Sequence, residues 1–143
     1  MTTTIKKYQS NFRTRKAAIF NDVISLKYNE GLDNDQNKKL YPWHLKIIIE
    51  SRFLFSSAYN VMQEKLLQSE IKSNIKQTLS KYCKIKQVVE LEKQGLKELH
   101  WYINSCEIDY LKVKEVIDTI KHKRFIWFYL DFDEKWSRVQ AYS

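Results

Sequence analysis

The chain has 143 residues, a length that fits one domain with its own hydrophobic core. It contains two glycines and one proline, which excludes folds built from many tight turns and favours helices joined by short polar segments. Its formal net charge is +8, and basic surfaces attract phosphate-bearing partners and acidic protein surfaces alike. The cysteines number two, too few for a disulfide framework, so we expect buried free thiols at Cys83 and Cys106.

The N-terminal residues 1–11 are polar and basic, and we predict a flexible arm there. No acidic residue precedes Asp22. Five basic residues lie in this acid-free stretch: Lys6, Lys7, Arg13, Arg15 and Lys16. Apolar residues then recur at three- and four-residue steps over 12–30, which predicts a helix. Gly31 stands where a left-handed residue would end this helix, and a polar loop is predicted over 32–41.

The segment 42–68 begins with the chain's proline and is apolar on most sides of a helix, apart from one narrow polar line. Proline is favoured at the first position of a helix, and a helix that is apolar on most of its circumference must be surrounded by other elements. We therefore predict that 42–68 is the central helix of the domain. Residues 70–94 continue in helical rhythm, and Gly95 is predicted to end that helix.

The remaining segments predict two further helices and one ambiguous end. Residues 96–104 predict a short helix, and 107–123 predict a longer one that starts with a capping box. Residues 125–133 alternate as a strand does and also form an apolar stripe as a helix does. Residue preferences favour a strand, but a single strand cannot satisfy its own backbone. The interpretation leans to a helix, because a strand would need a partner from the Thr-rich start or from another copy of the chain.

The sequence thus predicts an all-α, single-domain fold, a compact bundle of about five helices. A strand over 125–133 is the alternative for the C-terminal segment. We see no repeat, no low-complexity segment and no linker between domains. No secretory signal follows the start, and no apolar run approaches the roughly 20 residues that span a bilayer, so a cytoplasmic location is expected.

Motifs for catalysis and cofactor binding are absent from the sequence. The soft metal ligands Cys83, His100, Cys106 and His122 lack the paired spacing of zinc sites, and the glycines cannot form a phosphate loop. We therefore expect no metal, no cofactor and no enzymatic activity. Asp133-Glu134-Lys135 has the acid–x–Lys spacing of one class of metal-dependent nucleases. That reading is a remote alternative, because this chemistry normally lies on a multi-stranded sheet.

Basic and aromatic residues are repeatedly neighbours along the chain, as at Lys7-Tyr8 and Arg124-Phe125. Lysine and arginine neutralise phosphate, while an aromatic ring can stack on an unpaired base. The sequence thus predicts a small, basic, non-enzymatic protein that binds nucleic acid non-specifically through phosphate contacts, for example as an accessory subunit of a larger complex. Eight residues are predicted to make these contacts: Lys6, Lys7, Arg13, Arg15, Lys16, Lys121, Lys123 and Arg124.

The alternative function is a protein–protein interaction module that docks on an acidic partner, such as an inhibitor, an immunity-type protein or an assembly subunit. Trp127 and Trp136 are the predicted anchors, because tryptophan dominates binding hot spots. Core packing is the competing interpretation of these rings. The sequence does not distinguish DNA, RNA and protein as partners, and it leaves the oligomeric state open.

Overall fold

The computed structural model describes residues 3–4, 23–52, 58–104, 108–120 and 123–143. Within these ranges, six strands form one sheet: β1 Thr3–Thr4, β2 Val23–Tyr28, β3 Trp43–Glu50, β4 Ile85–Lys93, β5 Leu96–Ile103 and β6 Ile126–Phe132. The α-helices are α1 Asp35–Leu40, α2 Ala58–Leu79 and α3 Tyr110–Ile120. Two 3-10 helices cover Glu30–Leu32 and Ser137–Tyr142. The predicted all-α helical bundle is therefore wrong.

The strand order is β1-β2-β4-β5-β3-β6, and every neighbouring pair is antiparallel. β3 lies where the central helix is predicted, and it pairs with β5 on one side and with β6 on the other. Ile47, for example, pairs with both Leu99 and Phe128. An inner strand with side chains buried on both faces reads as a nearly continuous apolar run. A buried helix has the same apolar character, so the two cannot be distinguished from this run alone. Pro42 precedes a strand and does not start a helix.

The first core lies between the sheet and helices α2 and α3, on what we call the helix face of the sheet. Side chains alternate between the two faces of a strand, so every second residue of β3 and β5 faces the helices. The main contributors are Leu45, Ile47, Ile49, Ile71, Ile75, Leu99, Trp101, Ile103, Val113, Val116 and Ile117. The predicted helix over 107–123 is confirmed over Tyr110–Ile120, with its buried residues at three- and four-residue steps.

A second, smaller core lies on the opposite side, which we call the open face. Its residues come from β2, β4, β5 and the C-terminal 3-10 helix: Leu26, Tyr28, Val88, Val89, Leu91, Tyr102, Trp136 and Val139. Trp136 directly precedes that helix and has a left-handed backbone (φ 55°), a conformation that a bulky residue rarely adopts. Its ring stacks on Tyr102 with centroids 4.4 Å apart. The C-terminal turn thus covers the β2–β4 part of the open face and leaves the β3–β6 part accessible.

The other predicted helices also need correction. β2 occupies the last part of the predicted helix 12–30, whose earlier residues lie outside the described part of the chain. The predicted helix 70–94 is helical only to Leu79 and then becomes β4, and the predicted helix 96–104 is β5. Gly95 ends no helix. It lies in the two-residue turn between β4 and β5 with φ +84°, a conformation that glycine adopts without steric cost.

The C-terminal segment and the predicted arm complete the comparison. The strand alternative for 125–133 is correct and the helical interpretation is wrong, because β3 supplies the partner that the sequence did not reveal. Within the predicted arm, Thr3–Thr4 form β1, and the other residues lie outside the described ranges. None of the helices that the structure describes is long and apolar enough to cross a membrane.

Candidate functional site

The middle of the open face, on β5 and β3, carries a chain of buried polar side chains. Glu98 and His100 lie on β5, His44 lies on β3, and all are less than 5% exposed. His100 Nε2 is 2.9 Å from Glu98 Oε1, and His100 Nδ1 is 2.9 Å from His44 Nε2. The three groups thus form one continuous hydrogen-bonded chain from the carboxylate to His44.

The hydrogen-bond directions in this chain follow from the chemistry of its members. An ionised carboxylate only accepts, so His100 Nε2–H donates to Glu98. The His100 Nδ1 lone pair then accepts from His44 Nε2–H, which leaves a lone pair on His44 Nδ1. That atom is buried, and it has no hydrogen-bond partner among the described residues. An unpaired buried acceptor carries a desolvation cost, so His44 has capacity for one further donor.

Burial and charge fix the protonation states of these groups. Burial opposes ionisation of Glu98, but the hydrogen bond from His100 and the charges of Lys46 and Lys93 outweigh it and lower its pKa to about 2. The lysine Nζ atoms each lie 3.3 Å from a Glu98 oxygen. Burial lowers the pKa of His44 to about 3, and it also lowers the pKa of His100. Both imidazoles are therefore neutral at pH 7.

A second buried pair holds the C-terminal turn against this chain. Tyr102 donates its hydroxyl hydrogen to Asp133 Oδ2 at 2.7 Å. The Asp133 carboxylate also accepts from the backbone N–H groups of Ser137 at 2.9 Å and Arg138 at 3.0 Å. Although burial opposes it, these three hydrogen bonds lower the pKa of Asp133. The carboxylate thus acts as the cap of the C-terminal 3-10 helix.

A cleft of about 310 Å³ opens beside this polar chain. It is lined by His44, Lys46, His100, Tyr129, Asp131, Arg138 and Tyr142. Arg138 lies 3.6 Å from Asp131 across the rim, and Lys46 lies over the Tyr129 ring at 5.7 Å from its centroid. The cleft therefore combines cationic groups and aromatic rings, the two groups that bind a phosphate and a base.

A row of exposed aromatic rings continues from the cleft along β6. Phe125, Trp127 and Tyr129 are 64%, 49% and 54% exposed, and their alternate spacing places them on the open face. The rings of Phe125 and Trp127 lie 6.0 Å apart at an interplanar angle of 29°. We call these three residues the ring row. Large apolar groups are normally buried, so a contiguous exposed row indicates a binding surface.

The structure describes only some of the residues that the sequence predicts to contact phosphate. Lys6, Lys7, Arg13, Arg15, Lys16 and Lys121 lie outside the described residues. Lys123 is exposed, two positions before the ring row. Arg124, in contrast, donates to both carboxylate oxygens of Glu64 on α2, with Nε 3.0 Å from Oε2. A guanidinium held in this bidentate pair supports the fold, so Arg124 is a weak candidate for phosphate binding.

The two predicted tryptophan anchors differ sharply. Trp127 is half-exposed in the ring row, so core packing is the wrong interpretation for it. Trp136 is completely buried, and its Nε1–H donates to the backbone oxygen of Tyr41 at 2.8 Å. A partner cannot reach this ring, and the prediction of Trp136 as an interaction anchor is corrected to a role in the second core.

The structure also changes the argument about the Asp133-Glu134-Lys135 motif. The objection that the chain lacks a multi-stranded sheet is wrong. However, the Asp133 oxygens already accept three hydrogen bonds. No cluster of three histidine, cysteine or acidic side chains suited to a metal ion occurs among the described residues. Cys83 is a buried free thiol, whereas Cys106 lies outside those residues.

Sequence reasoning missed the buried polar chain, although a signal was present. His44 and Lys46 alternate with apolar residues on β3, and Glu98, His100 and Tyr102 alternate with Leu99 and Trp101 on β5. Alternation with a period of two indicates strands whose two faces differ.

Comparison with known proteins adds nothing to this assignment, because no family model, no curated protein and no solved structure matches the chain.

Proposed function

We propose that this protein binds single-stranded nucleic acid non-specifically, with unpaired bases stacked on the ring row and phosphates neutralised by nearby cations. The observation that carries the proposal is the exposure of Phe125, Trp127 and Tyr129 side by side on a sheet face. Aromatic rings displayed on a sheet are a recurrent platform for single strands, because every base has a face that can stack.

The charge of the chain supports this proposal. The exposed Lys123 lies before the Phe125 end of the ring row, and Lys46, which also pairs with Glu98 at 3.3 Å, lies at its Tyr129 end. The net charge of +8 adds a long-range attraction for phosphate, to which the basic segment 6–16 contributes. We propose an accessory, cytoplasmic role, and the buried free thiol of Cys83 fits a reducing compartment.

We further propose that the protein is not an enzyme. The lone pair on His44 Nδ1 is the most obvious candidate for a general base at the cleft. Efficient general bases have pKa values near the working pH. Burial lowers the pKa of His44 to about 3, which makes this imidazole a poor base at neutral pH. The histidine chain is better explained as a binding element than as a catalytic one.

Binding of labelled single strands and duplexes of equal length, followed by fluorescence anisotropy over a salt series, tests the proposal. We expect preference for single strands and an affinity that falls with salt. Trp127→Ala and Tyr129→Ala should each weaken single-strand binding by about 1–3 kcal/mol, or roughly 5- to 150-fold. Lys123→Ala should reduce the salt slope by about one unit, because it removes one phosphate contact.

Tyr82→Ala is the matched control for Tyr129→Ala. Tyr82 is also an exposed tyrosine with a lysine over its ring, since Lys112 Nζ lies 4.2 Å from its centroid, but it follows α2, away from the ring row. Its loss should leave binding unchanged. Absence of binding at low salt, or equal losses for both tyrosines, would overturn the proposal.

A protein partner is the second candidate, and the same rings favour it. Tryptophan and tyrosine are the side chains most enriched at binding hot spots. The ultraviolet absorbance of the purified protein, before and after a high-salt wash, separates the two candidates. Nucleic acid that co-purifies and is removed by salt supports the first, whereas its absence favours an acidic protein partner.

A further inference from the structure

β6 forms one edge of the sheet, and half of its main-chain groups point away from β3. Along an antiparallel pair, residues that exchange hydrogen bonds with the neighbour alternate with residues whose N–H and C=O point outward. Glu50 N–H donates to Phe125 O at 2.9 Å, and Asp133 N–H donates to Pro42 O at 2.7 Å. The main-chain N–H and C=O groups of the odd-numbered residues of β6 therefore point toward β3. The outward groups belong to Ile126, Phe128, Leu130 and Phe132, and no described strand pairs with them.

Among the described residues, this edge lacks the features by which proteins protect exposed strands. Edge strands are usually short, bulged, or interrupted by proline or lysine. β6 spans seven residues, carries Asp131 as its one charged side chain, and pairs with β3 without a register shift. Apolar surface flanks the edge on the helix face as well, where Phe132 is 57% exposed and the Tyr110 ring lies tilted against the Phe128 ring with centroids 4.8 Å apart. A regular, apolar edge of this kind is a template for another strand.

We propose that β6 pairs antiparallel with β6 of a second copy of this chain, so that two sheets become one across a two-fold axis. The charge distribution favours this occupant and this direction. The segment 121–124 before β6 carries three basic residues and no acid, whereas the segment 131–138 at its far end carries three acidic residues against two basic ones, with Arg138 3.6 Å from Asp131. Antiparallel self-pairing places the basic end of each strand near the acidic end of the other. Parallel pairing would set like charges side by side.

A register centred on Tyr129 uses every outward main-chain group of both strands. Phe128 then exchanges hydrogen bonds with the partner's Leu130, and Ile126 with the partner's Phe132, which gives about eight main-chain hydrogen bonds. Trp127 lies opposite the partner's Asp131. The two Tyr129 side chains face each other at the axis. The axis is perpendicular to the sheet, so the ring rows of both copies lie on the same face.

Light scattering coupled to size exclusion, with the intact chain and no nucleic acid, tests the pairing. We expect a mass of twice 17.3 kDa. Tyr129→Lys and Tyr129→Glu should each give monomers, because like charges then meet on the axis. Mixing these two variants should restore the dimer. Tyr82→Lys, which adds the same charge at an exposed tyrosine elsewhere, should remain dimeric.

The outcomes decide the proposal in both directions. A monomeric wild-type protein at about 100 μM would overturn it, and so would a dimer that both Tyr129 variants leave intact. Folded single variants that fail to recombine would overturn the register. Because the assay contains no nucleic acid, its result does not depend on the proposed function.

A cross-linking experiment covers the case in which the charged variants do not fold. Tyr129→Cys, combined with Cys106→Ser, should form an intermolecular disulfide under mild oxidation, since Cα atoms of a directly opposed pair lie about 4.5–5.5 Å apart. Trp127→Cys in the same background is the matched control. Its two copies would lie about 14 Å apart along the strands and should not cross-link. Equal cross-linking of the two variants would contradict the proposed pairing.

Discussion

The two faces of the sheet bury different kinds of side chain. On the helix face, strand residues such as Leu45, Ile47 and Trp101 pack against apolar side chains of α2 and α3. On the open face, the same strands bury His44, Glu98 and His100, which are linked by hydrogen bonds. Apolar packing is tolerant of small changes, whereas a buried polar chain is stable only when each member keeps its partner.

This difference separates a face built for stability from a face with capacity for binding. The helix face is closed by two helices, and its contacts are mainly apolar, apart from the buried pair Glu64 and Gln68 on α2. The open face carries an unpartnered acceptor at His44, a cleft with cations and an exposed ring row. Substitutions on the helix face should change the stability of the fold. On the open face, substitutions in the hydrogen-bonded chain should change stability, whereas substitutions in the ring row should change binding.

The largest effect is expected from the helix face. Trp101→Ala removes a fully buried indole from the main core and should reduce the free energy of unfolding by about 3–5 kcal/mol. Urea denaturation at pH 7 measures this loss. Trp101→Phe retains a ring and should cost less. Equal losses for the two variants would show that the indole does not pack as described.

A pH dependence should distinguish the open face. Burial lowers the pKa of His44 from 6.5 to about 3, and it lowers that of His100 too. The unfolded chain therefore binds protons below pH 6.5 that the folded chain does not, so this contribution to stability is present above pH 6.5 and lost as the pH falls. His44 alone should cost about 2 kcal/mol between pH 7 and pH 5.

Urea midpoints at pH 7, 6 and 5 measure this dependence. His44→Gln retains an amide N–H that can donate to His100 and does not titrate, so its midpoint should vary less with pH. An unchanged slope in that variant would contradict the buried, neutral state of His44.

A smaller effect is expected from the hydroxyl that holds the C-terminal turn. Tyr102→Phe removes the hydrogen bond to Asp133 and should cost about 1–2 kcal/mol, because the acceptor is charged and buried. Tyr129→Phe is the control on the exposed part of the same face. Thermal unfolding of both variants measures the difference, and equal midpoints would remove Asp133 from the stabilising network.

The smallest effect on stability is expected in the ring row. Trp127→Ala should change the free energy of unfolding by less than about 0.5 kcal/mol, since its ring is half-exposed. Comparison of its urea midpoint with that of Trp101→Ala measures the contrast between the faces. A loss above about 2 kcal/mol would mean that Trp127 belongs to a core.

Some of the fold could be predicted from the sequence, and the failures have a physical cause. α3 was predictable because one of its faces is apolar and the other polar, so its period of 3.6 is visible. β3 was not, because residues on both of its sides are buried and its sequence WHLKIIIE shows little contrast. Its length and apolar character are shared by buried helices, and local sequence does not reveal a partner as distant along the chain as Phe128 is from Ile47.

The candidate site was also only partly predictable, because its contacts join residues that are distant in the sequence. The ring row was visible as the alternation of Phe125, Trp127 and Tyr129, but the helical interpretation put Phe125 and Tyr129 on one apolar stripe and separated Trp127 from them. The link between His44 and His100 depends on the register between β3 and β5, which sequence spacing alone cannot supply. The left-handed backbone of Trp136 was equally hidden, because tertiary packing against Tyr102 stabilises it.

The position of β3 inside the sheet has a consequence for synthesis on the ribosome. Ile47 pairs with Leu99 and Phe128, so both neighbours of β3 are translated long after it. At roughly 5–20 residues per second, the β6 side of β3 stays unpaired for about 4–16 s after β3 is made. During that interval the nascent chain exposes an apolar strand edge, and we expect it to depend on chaperones until β6 emerges.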